Sequence, residues 1–176
     1  DPLQKISELE GPETDVAIRF GRGQYPGLLA RRLLKQEVFP VCSPELLQGE
    51  HPLSSPADLC WHTLIHFDPT FYDPDWPQWE KWLRAAGVAS IDASIGPHFS
   101  SPNFTIQAVL EGQGVSLAVS LMADELVAQG QLIQLFDVNY PGNYGYYAVV
   151  SEEKVEEPRV NAFWEWLISE AKDNYL

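Results

Sequence analysis

Basic residues are scarce in this sequence. Its 176 residues include 11 Lys and Arg against 25 Asp and Glu, for a formal net charge of −14 at pH 7. A surface that binds duplex DNA needs clustered cations, which displace counterions from the phosphates. The densest basic stretch holds only Arg31, Arg32 and Lys35. The composition therefore argues against nucleic-acid binding by this chain itself, and against binding to an anionic membrane surface.

Cysteine is scarce too, and the sequence has no long apolar runs. Cys42 and Cys60 are too few for a disulfide framework, and both lie in apolar stretches. This predicts two buried, reduced thiols and a reducing compartment. No stretch approaches the roughly 20 apolar residues that span a bilayer, and no signal peptide opens the chain. The start at Asp1-Pro2 without Met suggests a fragment or a processed protein.

Catalytic signatures are missing as well. The sequence has no nucleophile elbow, Walker loop, dinucleotide-binding glycine pattern or zinc-protease motif. Gly112-Gln113-Gly114 follows a predicted helix and precedes a predicted strand, which is the reverse of the order in a phosphate loop. His62 and His66 are four residues apart, but in a predicted strand, where this spacing does not make a helical pair of metal ligands. We expect no catalytic residue, no metal site and no cofactor.

The sequence does have a large apolar share, 45% of residues, and segments of strand and helix pattern that alternate. This alternation predicts an α/β fold with largely parallel sheets. The predicted strands are Asp15–Phe20, 28–35, Val38–Cys42, His62–Phe67, His98–Ser100, Val115–Val119, Leu132–Phe136 and Tyr144–Val150. The predicted helices cover 3–10, run from Trp79 to Gly87, begin at Pro102, cover 121–129 and begin at Pro158. Two more are predicted to begin at Pro44 and Pro56, with Ser43 and Ser55 as their caps. The helix from Pro102 is predicted to have an apolar face of Phe104, Ile106, Val109 and Leu110. The helix from Pro158 is predicted to have one of Val160, Phe163, Trp164 and Leu167.

One segment, Phe99-Ser100-Ser101-Pro102-Asn103, has the features of an anion-binding site. It ends a predicted strand and begins a predicted helix, whose first turn presents backbone N–H groups and the positive end of the helix dipole. Hydroxyl and amide side chains stand beside these groups, which suits a carboxylate or a similar anion. Simple capping of the helix by Ser101 explains the same residues and does not exclude a ligand.

Two further segments could contribute to a binding site. Arg19-Phe20-Gly21 lies at the C-terminal end of a predicted strand, where ligands of open α/β sheets bind, although a plain turn explains it too. Tyr144, Tyr146 and Tyr147 share another predicted strand. Alternation directs Tyr146 and Tyr147 to opposite faces, so that one can belong to the core while the other faces a cleft.

Several stretches, taken together, resemble the effector-binding domain of LysR-type bacterial transcriptional regulators. The similarity is greatest to the branch that contains the glycine-cleavage activator and the beta-lactamase regulator. The stretches run almost from end to end: Asp15 to Gly23, Leu33 to Leu47, Pro52 to Leu64, Trp79 to Gly87, Gln107 to Val115 and Pro158 to Leu167.

The resemblance implies two Rossmann-like lobes joined by two crossing strands, a fold like that of type II periplasmic binding proteins. Lobe I would comprise 1–40 and 148–176, and lobe II would comprise 41–147, with crossings at 39–43 and 146–151. A small effector would bind in the cleft between the lobes. The strand, helix and strand that begin lobe I in the family have no counterpart in this sequence before Leu3.

The resemblance also implies an effector site at Phe20, Gly21, Ser100, Ser101, Asn103 and Tyr146, the positions to which the residues themselves point. The helix start at Ser100 to Asn103 predicts an amino-acid-like or carboxylate effector. The resemblance implies a homodimer or tetramer formed through the helix and strand at 103–119. DNA would be bound only by an N-terminal winged helix-turn-helix domain, which this sequence lacks. We expect a cytoplasmic protein without membrane contact and without enzymatic activity.

Two alternatives remain at this point. A periplasmic-type solute-binding protein shares the implied architecture but has a role in transport. An enzyme built on Cys42 or Ser100 would need a base within hydrogen-bonding distance of the nucleophile, and no sequence pattern indicates one.

Overall fold

The computed structural model describes residues 15–68, 77–138, 140 and 144–175, with side chains described as far as residue 171. The predicted helix over 3–10 lies outside the described residues. Within them the strands are β1 (Ala17–Gly21), β2 (Leu28–Gln36), β3 (Val38–Cys42), β4 (Leu64–Phe67), β5 (His98–Phe99), β6 (Val115–Val119), β7 (Ile133–Gln134) and β8 (Tyr144–Ser151). The α-helices are α1 (Trp79–Ala85), α2 (Pro102–Leu110), α3 (Ser120–Ala128), α4 (Glu152–Val155) and α5 (Pro158–Tyr175). Short 3₁₀ helices form at Pro44–Gln48 and Pro56–Trp61.

The chain forms two compact units. The first combines residues 1–36 with 142–176, and the second comprises 37–141. The lobe boundaries implied by the resemblance, after 40 and after 147, lie a few residues further along the chain.

The first unit is built on a three-stranded sheet in the order β1-β8-β2, with β8 antiparallel to both neighbours. Side chains alternate along β8, so that Ala148 and Val150 pack with Val160 and Trp164 of α5. Tyr147 and Val149 form a separate cluster, against which Ala17, Tyr25, Leu28 and Ala30 pack. The strand is therefore apolar on both of its faces, which accounts for its continuous apolar sequence.

The second unit is built on a five-stranded sheet in the order β5-β4-β6-β3-β7. β4 is parallel to β5 and β6, whereas β3 is antiparallel to β6 and β7. Its core contains Phe39, Val41, Ile65, Ala108, Val109, Ala118, Ala123 and Leu132. Each buried side chain of Val, Ile or Phe size stabilises the fold by about 1.5–3 kcal/mol relative to exposure.

The α/β class is confirmed, but the prediction of largely parallel sheets is wrong. Every described strand pair of the first unit is antiparallel, and in the second unit parallel and antiparallel pairs are equal in number. The alternation of strands and helices along the chain does not record which strands become neighbours. Here β8, from the far end of the sequence, lies between β1 and β2 and runs opposite to both.

Three apolar side chains predicted to be buried are exposed instead. Phe104 of α2 is 66% exposed and Phe163 of α5 is 47% exposed, while Thr105 and Ala108 occupy the inward positions of α2. Cys42 is buried as predicted, but Cys60 is exposed. Cys60 belongs to a 3₁₀ helix, Pro56–Trp61, whose one buried residue is Leu59. An apolar stretch this short does not show which of its residues turns inward.

Candidate functional site

Phe20 and Tyr146, which are far apart in the sequence, are neighbours in the first unit. β1 and β8 pair so that Phe20 lies opposite Tyr146 and Gly21 lies opposite Gly145. The rings of Phe20 and Tyr146 meet edge to face, with centroids 5.3 Å apart and planes at 62°. Three of the predicted site residues, Phe20, Gly21 and Tyr146, are thus together at one end of this strand pair.

Tyr146 and Tyr147 point to opposite faces of the sheet, as strand alternation predicts. Tyr147 is buried and its ring meets that of Tyr25 edge to face, with centroids 6.2 Å apart. Tyr146 is half-buried, and burial raises the pKa of its phenol above the usual value, so the hydroxyl stays protonated at neutral pH. A protonated phenol can donate a hydrogen bond to a ligand as well as accept one.

Gly21 lies close to the side chain of Tyr25, which would have to move for a larger residue to fit. A Cβ at this position would lie 2.9 Å from the hydroxyl oxygen of Tyr25, closer than side-chain carbons tolerate. The backbone therefore lies against an aromatic side chain directly after Phe20.

Arg22 and Tyr144 extend this group, although neither is among the six residues predicted for the effector site. Nη2 of Arg22 donates a hydrogen bond of 3.3 Å to the hydroxyl of Tyr144, and the guanidinium carbon lies 5.4 Å from the centre of that ring. The ring of Tyr144 in turn stacks on Phe20 at 5.9 Å. The sequence could have indicated Tyr144, because it is two residues from Tyr146 in the same strand and therefore points to the same face. It could not have indicated Arg22, whose position depends on the pairing of β1 with β8.

The other three predicted residues, Ser100, Ser101 and Asn103, are together in the second unit, where β5 ends and α2 begins. Ser100 and Asn103 are exposed. Ser101 is the residue that precedes the first helical turn, and its carbonyl accepts hydrogen bonds of 3.1 Å from the N–H and the hydroxyl of Thr105. Pro102, at the first helical position, has no N–H to satisfy.

The simple explanation that Ser101 caps the helix is wrong. Its hydroxyl makes no capping hydrogen bond to α2. By contrast, Ser43 does cap its 3₁₀ helix as predicted, because its hydroxyl accepts from the N–H of Leu46 at 3.4 Å. The hydroxyl of Thr105 donates to the carbonyl of Ser101, which is not a capping bond. The polar character of Ser101 is therefore not explained by the stability of the helix.

Cys42 lacks the features of a nucleophile. Burial raises the pKa of the Cys42 thiol to about 11, which leaves very little thiolate at neutral pH. Among the described residues, no group of three or more His, Cys, Asp or Glu is placed to hold a metal ion. In the same residues, no helix is long and apolar enough to cross a membrane.

Comparison with known proteins decides which class of protein this is. The family model of the LysR substrate binding domain matches residues 2–172. The chain belongs to this family. It is 36% identical over 159 residues to the glycine cleavage system transcriptional activator of Escherichia coli K12, covering 90% of this chain and 50% of that protein. The chain thus spans about half the length of the curated relatives it matches.

Solved structures agree with the family assignment. The effector domain of the transcriptional regulator AmpR of Pseudomonas aeruginosa is 30% identical, with a TM-score of 0.70 over 90% of this chain and 72% of that one. The regulatory domain of CrgA from Neisseria meningitidis, a LysR-type regulator, is 25% identical, with a TM-score of 0.72 over 96% and 81%. The fold is that of LysR-type effector domains, like type II periplasmic binding proteins. The relatives named here are transcriptional regulators, which favours the regulator over the solute-binding protein.

Proposed function

We propose that this chain is the effector-sensing part of a longer transcriptional regulator of the LysR type. The match to the LysR substrate binding domain over residues 2–172 carries this proposal. In the intact regulator a winged helix-turn-helix domain would bind DNA in the cytoplasm. The effector would act by its differential affinity for two arrangements of the protein. We take the two compact units as lobe I and lobe II.

The first part of the proposed effector site is Phe20, Gly21 and Tyr146. Phe20 and Tyr146 form an aromatic wall, and the protonated phenol of Tyr146 supplies one hydrogen-bonding group. Aromatic walls with a few polar groups are typical of small-molecule sites.

The second part is Ser100, Ser101 and Asn103. The hydroxyl of Ser101 is not used to cap α2, and the first turn of the helix presents N–H groups to an anion. Together these groups suit the carboxylate of an amino-acid-like or carboxylate metabolite, which is the effector class that we propose.

A thermal-shift screen of amino acids and small carboxylates, followed by calorimetry on the intact regulator, tests this site. Ser101→Ala should weaken the affinity of any hit at least tenfold, while the free energy of unfolding changes by less than about 0.5 kcal/mol, because no cap is lost. Ser54→Ala, at an exposed serine elsewhere, is the matched control and should bind as the parent does. Equal affinity in Ser101→Ala and the parent would count against the site.

We also propose that the chain forms a homodimer or tetramer through residues 103–119. Phe104 is 66% exposed on α2 within this segment, and exposed aromatic side chains are enriched at protein interfaces. Phe104→Asp should shift the mass measured by light scattering toward the monomer, whereas Phe163→Asp, at an exposed phenylalanine of α5, should not. An unchanged mass in Phe104→Asp would exclude this surface.

A further inference from the structure

The second unit contains a cavity of about 600 Å³. This volume lies in the range of small-molecule sites, which are mostly apolar with a few polar groups. None of the six residues of the proposed effector site is among the described residues that line it. Its apolar lining includes Ile65, Trp79, Leu83, Ile106 and Met122.

Two stacked imidazoles form part of the wall of this cavity. β4 and β5 are parallel and pair His66 directly with His98. Their rings are stacked and nearly parallel, with an interplanar angle of 8° and centroids 4.2 Å apart. Nδ1 of His98 donates a hydrogen bond of 2.7 Å to Oδ2 of Asp68. The strand register thus produces a flat π surface with a carboxylate beside it.

The charge of the lining is negative. Arg84 is bonded to Glu80 at 2.8 Å, so this cation is already matched by an anion. Asp68 and Asp92 also line the cavity. Oδ1 of Asp92 accepts from the N–H and the hydroxyl of Ser94 at 2.9 and 2.7 Å, which lowers the pKa of this carboxyl and keeps it ionised.

His66 does not offset these charges at neutral pH. Burial lowers the pKa of its imidazole, and the neighbouring His98 lowers it further. A neutral imidazole keeps its π face, so the wall is aromatic. Among the described residues that line the cavity, carboxylates outnumber the cationic Arg84. Such surroundings favour a ligand with a flat apolar ring and a positive charge over an anionic ligand.

We propose that this cavity is a second ligand site that binds a small aromatic amine in its cationic form. The ring would occupy the apolar part of the cavity between Trp79 and the stacked histidines, and the ammonium group would lie near Asp68. The proposal does not depend on the effector site, because it uses different residues and a ligand of opposite charge. A regulator with both sites would respond to two classes of small molecule.

Calorimetry on the 176-residue chain tests the proposal with three probes that share one ring: benzylammonium, benzyl alcohol and benzoate. We expect benzylammonium to bind most tightly and benzoate not at all. Asp68→Asn should weaken benzylammonium binding about two- to fivefold, the scale of one partly exposed ionic contact. Asp137→Asn removes the same charge from an exposed residue that does not line the cavity, and it should bind as the parent does.

Two further measurements locate the site. The indole N–H resonance of Trp79 should shift on addition of benzylammonium, and Ser101→Ala should bind benzylammonium with unchanged affinity, since Ser101 belongs to the effector site. Benzoate binding as tight as that of benzylammonium, equal losses in Asp68→Asn and Asp137→Asn, or no binding of benzylammonium would each overturn the proposal. None of these outcomes affects the effector site, whose own test uses Ser101→Ala with carboxylates.

Discussion

Trp79 and Trp82 offer a matched test of the energetics of the second unit. Both are on α1, both are buried (2% and 0% exposed), and their rings meet edge to face with centroids 5.8 Å apart. They differ in the hydrogen bonding of the indole N–H group. Nε1 of Trp79 donates a hydrogen bond of 3.1 Å to the carbonyl of Ile65, whereas Nε1 of Trp82 has no partner among the described residues.

The substitution of each tryptophan by phenylalanine should therefore have different consequences. The loss of the smaller ring leaves a similar void in both cases and costs about 1–2 kcal/mol. Trp79→Phe also loses a hydrogen bond worth about 1 kcal/mol, whereas Trp82→Phe removes a buried donor whose lack of a partner costs about 1–3 kcal/mol. We expect Trp79→Phe to cost about 2–3 kcal/mol and Trp82→Phe to lie within about 1 kcal/mol of the parent.

Urea unfolding followed by circular dichroism measures this difference directly. The two variants share the chemical change, the helix and the degree of burial, so the comparison isolates the N–H group. The reasoning fails if Trp82→Phe is destabilised as much as Trp79→Phe, or more.

Three further predictions follow from local geometry. Cys60, which is exposed, should be alkylated quickly in the native state, and Cys42, buried with a pKa of about 11, only on unfolding; mass spectrometry of the labelled sites checks this. His66 has a lowered pKa in the folded state, so its contribution to stability is complete above about pH 6.5 and declines as the pH falls below that value; His66→Gln should flatten this part of the stability profile measured by urea unfolding. Gly23→Ala should lower the melting temperature more than Gly27→Ala, because both have φ of 78° but only at Gly23 would a Cβ clash with a side chain, the ring of Tyr147; equal shifts would contradict this explanation.

Local sequence pattern was sufficient to predict most of the elements and the strand face of one proposed site residue, Tyr146. Period-two alternation located the strand that contains Tyr146 and Tyr147, and it assigned these residues to opposite faces. The cap and proline at Ser43-Pro44 marked a helical start that the structure has as a 3₁₀ helix. These features depend on residues close in sequence, which is why they can be read from it.

Sheet order and side-chain burial were harder to predict from the sequence. The position of β8 between β1 and β2 depends on contacts between segments more than a hundred residues apart, and helix periodicity placed Phe104 inward although it is exposed. An apolar residue on a helix edge can face a core or a partner, and the pattern is the same for both. Ser101 is a second example, because the Ser-Pro sequence is typical of a helix cap but the hydroxyl of Ser101 makes no capping hydrogen bond.

The amino-acid sequence by itself determined the class of the fold, the family resemblance and the segments from which the proposed effector-site residues come, because these depend on residue type and short-range spacing. Only the tertiary structure decided which residues meet: Phe20 with Tyr146, Arg22 with Tyr144, and His66 with His98 at the wall of a cavity. The physical reason is that strand pairing and register bring distant residues together, and register is set by the burial of whole faces rather than by any single residue.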